Sequence, residues 1–149
     1  MSDFEIRYTA TEADIDRIHH YLSTQSYWAA NIPRPLVARS FENSLPFLVF
    51  DGDTLAAFAR VVTDKATFAH LADVFVVVEY RGGGVGKRLM EAVMAHPDLQ
   101  DLRRFLLFTR DAHGLYARYG FTGLERPGRA MQRLAPRPYP APDAVEAVE

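Results

Sequence analysis

Arg81-Gly82-Gly83-Gly84-Val85-Gly86 is the stretch on which the reading of this chain turns. An apolar run, residues 74–78, leads into it. Val85, Leu89, Ala92 or Val93, and His96 follow at the spacing of one helical face, and Pro97 ends that pattern. A strand therefore enters the turn and a helix leaves it. The start of a helix presents N–H groups without partners and carries partial positive charge. Glycines let a ligand approach that backbone closely. A turn of this kind binds phosphate; the alternative is a glycine-rich connection that holds no ligand.

Spacing separates the known phosphate turns. A Walker A loop needs a glycine five residues before its final Gly-Lys pair and Ser or Thr after it. Counting back from Gly86 reaches Arg81, and Lys87 is followed by Arg88, so both requirements fail. The dinucleotide fingerprint Gly-x-Gly-x-x-Gly, started at Gly82, ends on Lys87 and fails as well. What remains is Arg-x-x-Gly-x-Gly, met by Arg81, Gly84 and Gly86.

Upstream of the turn the pattern is a strand, two helices and a meander. Phe4, Ile6 and Tyr8 alternate with polar residues. Thr11 stands three before Asp14 as a capping box, and Ile15, Ile18 and Leu22 follow at helical spacing, predicting a helix over 12–23. Tyr27, Trp28, Asn31 and Arg34 occupy an irregular segment that runs into Pro33-Arg34-Pro35. Pro35 opens a second helix with Val37, Phe41 and Leu45 inward. Residues 46–50, the turn Asp51-Gly52-Asp53, and residues 54–62 form a hairpin, and a third strand covers 67–77. Downstream, 104–109 reads as a buried strand reached by a right-handed crossover, 112–118 as a short helix closed by Gly120, and 121–124 and 129–134 as two last strands. From Ala135 onward, four prolines and three acidic residues predict a disordered tail.

The glycine pattern resembles the first signature of the GNAT N-acetyltransferase superfamily. Leu115-Tyr116-Ala117-Arg118-Tyr119-Gly120-Phe121 resembles its second, an apolar residue and Tyr followed three residues later by Gly-Phe. Ala112 stands four before Tyr116, as the family often has it; Thr109, seven before, stands where the family commonly has Asn. Val78 replaces a frequent Pro. The resemblance covers roughly residues 4–134 and implies one acyl-CoA N-acyltransferase domain over 1–134 followed by the tail 135–149. The implied fold is α/β, an α+β mixed, mostly antiparallel sheet splayed between strands 4 and 5 and flanked by about four helices.

The resemblance also implies a site. The pantetheine arm of acetyl-coenzyme A pairs with the fourth strand near Phe75, Val76 and Val77. Its pyrophosphate rests on the N–H groups of Gly82, Gly83, Gly84, Val85, Gly86 and Lys87, next to Arg81, with Lys87 or Arg88 on a phosphate. Tyr116 protonates the departing sulfur, with Tyr119 as its rival, and Thr109 belongs to the cofactor site. A backbone N–H near Val76 stabilises the oxyanion. Aligned on Arg81, His70 falls where histone-acetylating relatives carry a glutamate base. Asp73 is the other polar group on that strand, and a water chain is the third option. Strand periodicity puts His70 and Asp73 on opposite faces unless a bulge intervenes. Tyr27, Trp28 and Arg34 are the candidates for the acceptor side, Arg34 pairing with a substrate carboxylate.

Bulk properties narrow the classes. A net charge of -2 and a pI near 6.2 argue against a nucleic-acid binder. The absence of cysteine removes disulfides, thiolate metal sites and a covalent cysteine route, so transfer is expected to be direct. The five histidines show no ligand spacing, and no metal is expected. No apolar run approaches a membrane span and the first residues do not read as a secretory signal, so a cytoplasmic protein without membrane partners is expected. The expected reaction is acetylation of a small-molecule amine. A protein acetyltransferase and a non-catalytic acyl-CoA-binding module stay open, as does a homodimer.

Overall fold

Residues 3–136 and 139 are described by the computed structural model. The elements run β1 (Glu5–Arg7), α1 (Glu12–Gln25), α2 (Arg34–Phe41), β2 (Leu45–Asp51), β3 (Thr54–Thr63), β4 (Phe68–Val76), α3 (Val85–Ala95), β5 (Arg104–Leu107) and α4 (His113–Ala117). The strands lie side by side in chain order, antiparallel except for the parallel β4–β5 pair that α3 connects.

Alternation explains why helices cover both faces. In β2, Phe47 and Val49 turn to one side and Leu48 and Phe50 to the other, and all four are buried. The first pair joins Leu89, Met90 and Val93 of α3. The second joins Ile15, Ile18 and Leu22 of α1 and Val37 of α2. Each such side chain contributes roughly 1.5–3 kcal/mol by leaving water. Thr11 and Asp14 cap α1 reciprocally, at 3.0 and 3.1 Å, closing the predicted box. Leu45, expected to face inward from α2, opens β2 instead.

Two irregularities shape the site. The β4–β5 ladder runs from Phe68↔Arg104 to Leu71↔Leu107 and stops, while β4 continues to Val76. Residues 72–76 therefore have an unpaired edge where the two strands separate. On the other side of β4 the register jumps from Phe58↔Phe75 to Arg60↔Ala72, so β4 carries one extra residue. Asp73 sits in that bulge with φ +57, a left-handed conformation uncommon outside glycine.

The two predicted last strands do not form. Phe121 turns back under α4: its N–H donates to the Tyr116 carbonyl at 3.3 Å and its ring meets Phe105 and Tyr116 edge-on. Gly123, Pro127 and Gly128 interrupt the chain beyond it, and Pro127–Arg129 is a single 3-10 turn. Met131 and Leu134 are 97% and 73% exposed, so neither apolar side chain is buried against a neighbouring surface. The expectation of a disordered tail falls, apart from residues 135, 136 and 139, outside the described residues.

Candidate active site

The separation of β4 and β5 opens into a cavity of about 590 Å³, a size suited to a small ligand. His70 and Asp73 both line it, because the bulge between them cancels the alternation that would otherwise divide them. Tyr116 reaches it from α4, Thr109 from the end of β5, and Tyr27 and Trp28 from the loop between α1 and α2.

That loop is held firmly. Ser26, buried, donates to the Leu22 carbonyl at 2.7 Å and accepts from the Ala29 N–H at 3.1 Å. Trp28 Nε1 donates to Asp73 Oδ1 at 2.8 Å, and Arg60 Nε donates to Asp73 Oδ2, also at 2.8 Å. The Arg60 and Asp73 side chains are only 18% and 13% exposed. Both carboxylate oxygens of Asp73 are thus engaged, and Asp73 fixes the tryptophan wall.

His70 is half-buried with its ring edge-on to Phe108 at 5.6 Å. Burial, and then the Arg60 charge, lower its pKa below 6.5, against a smaller opposing pull from Asp73. The imidazole is neutral at neutral pH. Tyr116 is 8% exposed; its hydroxyl makes no hydrogen bond among the described residues and keeps access to solvent, since no fully buried side-chain polar atom there is left unpaired. Burial first, and then Tyr27, raise its pKa above 10, so it keeps its proton. Tyr119, the alternative acid, packs against the core and does not line the cavity. Thr109 Oγ1 accepts the Ala112 N–H at 3.0 Å and so shapes the turn into α4.

At the far end of β4 stands the glycine turn. The Tyr80 hydroxyl donates to Asp51 Oδ2 at 2.9 Å and anchors the chain just before it. Arg81 donates from Nε to the Val76 carbonyl and from Nη2 to the Tyr21 hydroxyl, each at 3.0 Å. Tyr21 in turn stacks on Phe75 at 3.9 Å. Gly84 caps α3 with φ +88, and no atom lies within 4 Å of where its Cβ would be, so the conformation itself calls for glycine. Val85 is buried with its side chain in the core; Gly82, Gly83 and Lys87 are exposed and Gly86 half-buried. The Val77 N–H bonds to the Ala56 carbonyl at 2.9 Å, and neighbouring peptide groups of a strand point to opposite edges, so the Val76 N–H faces the open side.

These features fit a ligand with an extended amide-bearing arm and a diphosphate: an unpaired strand edge, a cradle without Cβ atoms, and a cavity beyond. Among the described residues no group of three His, Asp or Glu could hold a metal, and no helix is long and apolar enough to cross a membrane.

Arg34 is not part of the cavity. It heads α2 and binds back to α1, to Asp16 Oδ1 at 2.6 Å and Glu12 Oε1 at 2.9 Å, because the turn between the helices points it away from β4. The arginines that do line the cavity are Arg60 and Arg110, with Phe108 and Asp111 beside them, and none of these four belongs to a motif or spacing that the sequence marks out. Arg60 left a trace, a lone charge inside the apolar run 55–62. Arg110 left none.

Comparison with known proteins bears on these features. The sequence profile of the acetyltransferase (GNAT) family matches residues 15–121. The crystal structure of a protein from Xanthomonas campestris pv. campestris, assigned to the GNAT family, is 52% identical with a TM-score of 0.89, over 93% of this chain and 98% of that one. A Gibberella zeae protein with an acetyltransferase designation is 27% identical over 127 residues, 70% of each chain. Glucosamine-6-phosphate N-acetyltransferase from Arabidopsis thaliana superposes with a TM-score of 0.63 over 89% of this chain and 97% of its own; at 18% identity that likeness is one of fold.

Proposed function

The chain belongs to the acetyltransferase (GNAT) family, and from that premise we propose that it moves the acetyl group of acetyl-coenzyme A directly onto the primary amine of a small molecule. The observation that carries this reading is the unpaired edge of β4 opening into the same cavity that holds the unpartnered Tyr116 hydroxyl. Bound acetyl-coenzyme A supplies an activated acetyl group; the rest is the work of the chain's own residues.

In this reading the N–H groups of residues 82–87 hold the diphosphate. The open edge of β4 near Phe75, Val76 and Val77 aligns the arm, Val76 presenting its backbone outward while the Val77 N–H stays on Ala56, and the Val76 N–H meets the charge that develops on the acetyl oxygen. A free alkylamine has a pKa of about 10 and must lose a proton to attack. Neutral His70 takes it, directly or through water. As the new C–N bond forms and the C–S bond breaks, the Tyr116 hydroxyl gives its proton to the sulfur, and the proton that the acylated nitrogen then sheds, relayed by solvent, restores it. The phenol is protonated at neutral pH, as a proton donor has to be. Asp73 is a poorer base than His70, since both of its oxygens already accept hydrogen bonds.

A small acceptor is favoured over a polypeptide by the cavity, which Tyr27, Trp28 and Phe108 wall on the acceptor side. Thiol release from acetyl-coenzyme A with a panel of amines and amino acids tests the reading. No coenzyme A binding by calorimetry removes it. Binding without turnover returns the non-catalytic module, and turnover confined to peptides returns the protein acetyltransferase.

A further inference from the structure

We infer that the acceptor carries an oxyanion, a carboxylate or a phosphate, alongside its amine, and that Arg110 is the residue that reads it. The inference rests on the acetyl-transfer reading of the same cavity and names the chemical class of its acceptor.

Several arginines near the helices and strands described above have settled partners, Arg17 on the Asp53 carbonyl among them. Arg60 is closed on Asp73, Arg34 on Glu12 and Asp16, Arg81 on Val76 and Tyr21, and Arg7 on Glu5. Arg110 differs. It lies on the cavity wall, its side chain is 65% exposed, and it donates no hydrogen bond among the described residues. Its nearest carboxylate is Asp111 Oδ2 at 4.0 Å, on a side chain itself 75% exposed. An exposed pair at that distance yields easily to a better-placed anion.

Yet Arg110 is not loose. Its guanidinium carbon sits 3.9 Å from the centre of the Tyr27 ring. Tyr27 meets Trp28 edge-on at 5.1 Å, and Trp28 is tied to Asp73. The guanidinium is thus stacked on a wall that is itself anchored to β4. Stacking occupies a face and leaves the N–H edge open, which is the edge that takes an oxyanion bidentately. A cation oriented in advance loses less freedom on binding. Among the other charges in the cavity, Arg60 and Asp73 neutralise each other, and Asp111 is the carboxylate that an incoming oxyanion has to displace from Arg110. The body of the acceptor would lie against Trp28 and Phe108, with the amine toward His70 and the oxyanion toward Arg110.

Matched amines test this, with initial rates of thiol release at saturating acetyl-coenzyme A: β-alanine against β-alaninamide, γ-aminobutyrate against its amide, and phosphoethanolamine against ethanolamine. The oxyanion-bearing member of at least one pair is expected to win in kcat/KM by about tenfold, mainly through KM, with the advantage shrinking as salt rises. The winning pair tells carboxylate from phosphate. Arg110→Gln should erase the preference, and Arg110→Lys should keep part of it. Amides and ethanolamine used as well as their acidic counterparts, or a preference that survives Arg110→Gln, would overturn the inference while leaving acetyl transfer intact. Coenzyme A binding with no amine turned over would sink the acetyl-transfer reading and this inference with it.

Discussion

The two ends of β4 are built differently. At one end, residues 81–87 are contiguous and offer main-chain groups; at the other, Arg60, His70, Asp73, Trp28, Arg110 and Tyr116 converge from separate elements and offer side chains. On the proposed reading the first end holds the coenzyme, and its geometry follows from helix-start physics alone. The second depends on one bulge and on a chain of hydrogen bonds reaching from β3 through β4 to the α1–α2 loop. A shared ligand is gripped by backbone, while a particular one is selected by side chains.

If the two ends are separable, variants should divide between coenzyme and acceptor terms. The largest effect is expected from Tyr116→Phe, which should cut turnover by about a hundredfold or more and leave the calorimetric affinity for coenzyme A unchanged. Unaltered turnover would show that sulfur leaves without this acid. Next comes Gly84→Ala. Forcing a Cβ into φ +88 costs about 1–3 kcal/mol of backbone strain, which should lower the melting temperature and weaken coenzyme A binding on the order of tenfold. The KM for amine should hardly move; a matching rise in both constants would mean that the two ends are coupled.

Smaller effects are expected from the pair that pins Trp28. Asp73→Asn and Arg60→Gln should each raise the amine KM several-fold by freeing the loop. Their pH profiles should part. His70 works in its neutral form, so activity falls as pH drops through its pKa. Arg60 lowers that pKa and Asp73 raises it. Asp73→Asn should therefore move the acid limb to lower pH and Arg60→Gln to higher pH. Parallel shifts would take His70 out of the proton path. The smallest effect, none on either kinetic term, is expected from Arg34→Ala, since Arg34 is engaged with α1 outside the cavity.

The same contrast explains what the sequence disclosed. The glycine turn, the capping box at Thr11 and the alternation in β2 are local patterns, and each folds as its spacing requires. The bulge at Asp73 is legible only as a condition, because an extra residue in one strand exists only relative to its neighbour. Arg34 and Arg110 are both arginines near aromatic residues in an irregular stretch or at its border, and only the paths of two loops decide which one faces the cavity. Residues 129–134 follow a Pro-Gly turn as a returning strand would, yet β1 has Val49 and its neighbours to pair with, whereas Met131 is 97% exposed.

The early parting of β4 from β5 leaves the ladder one rung-bearing partner short. Along residues 72–76 the sheet is an unfinished weave, and on the proposed reading the coenzyme's amide-bearing arm is the thread that completes it. Before that thread arrives, the outward amide of Val76 trades its hydrogen with solvent freely; afterwards it should be among the slowest-exchanging in the strand. If the proposed reading holds, recognition of the coenzyme becomes a late step of folding, deferred until the missing strand is supplied from outside.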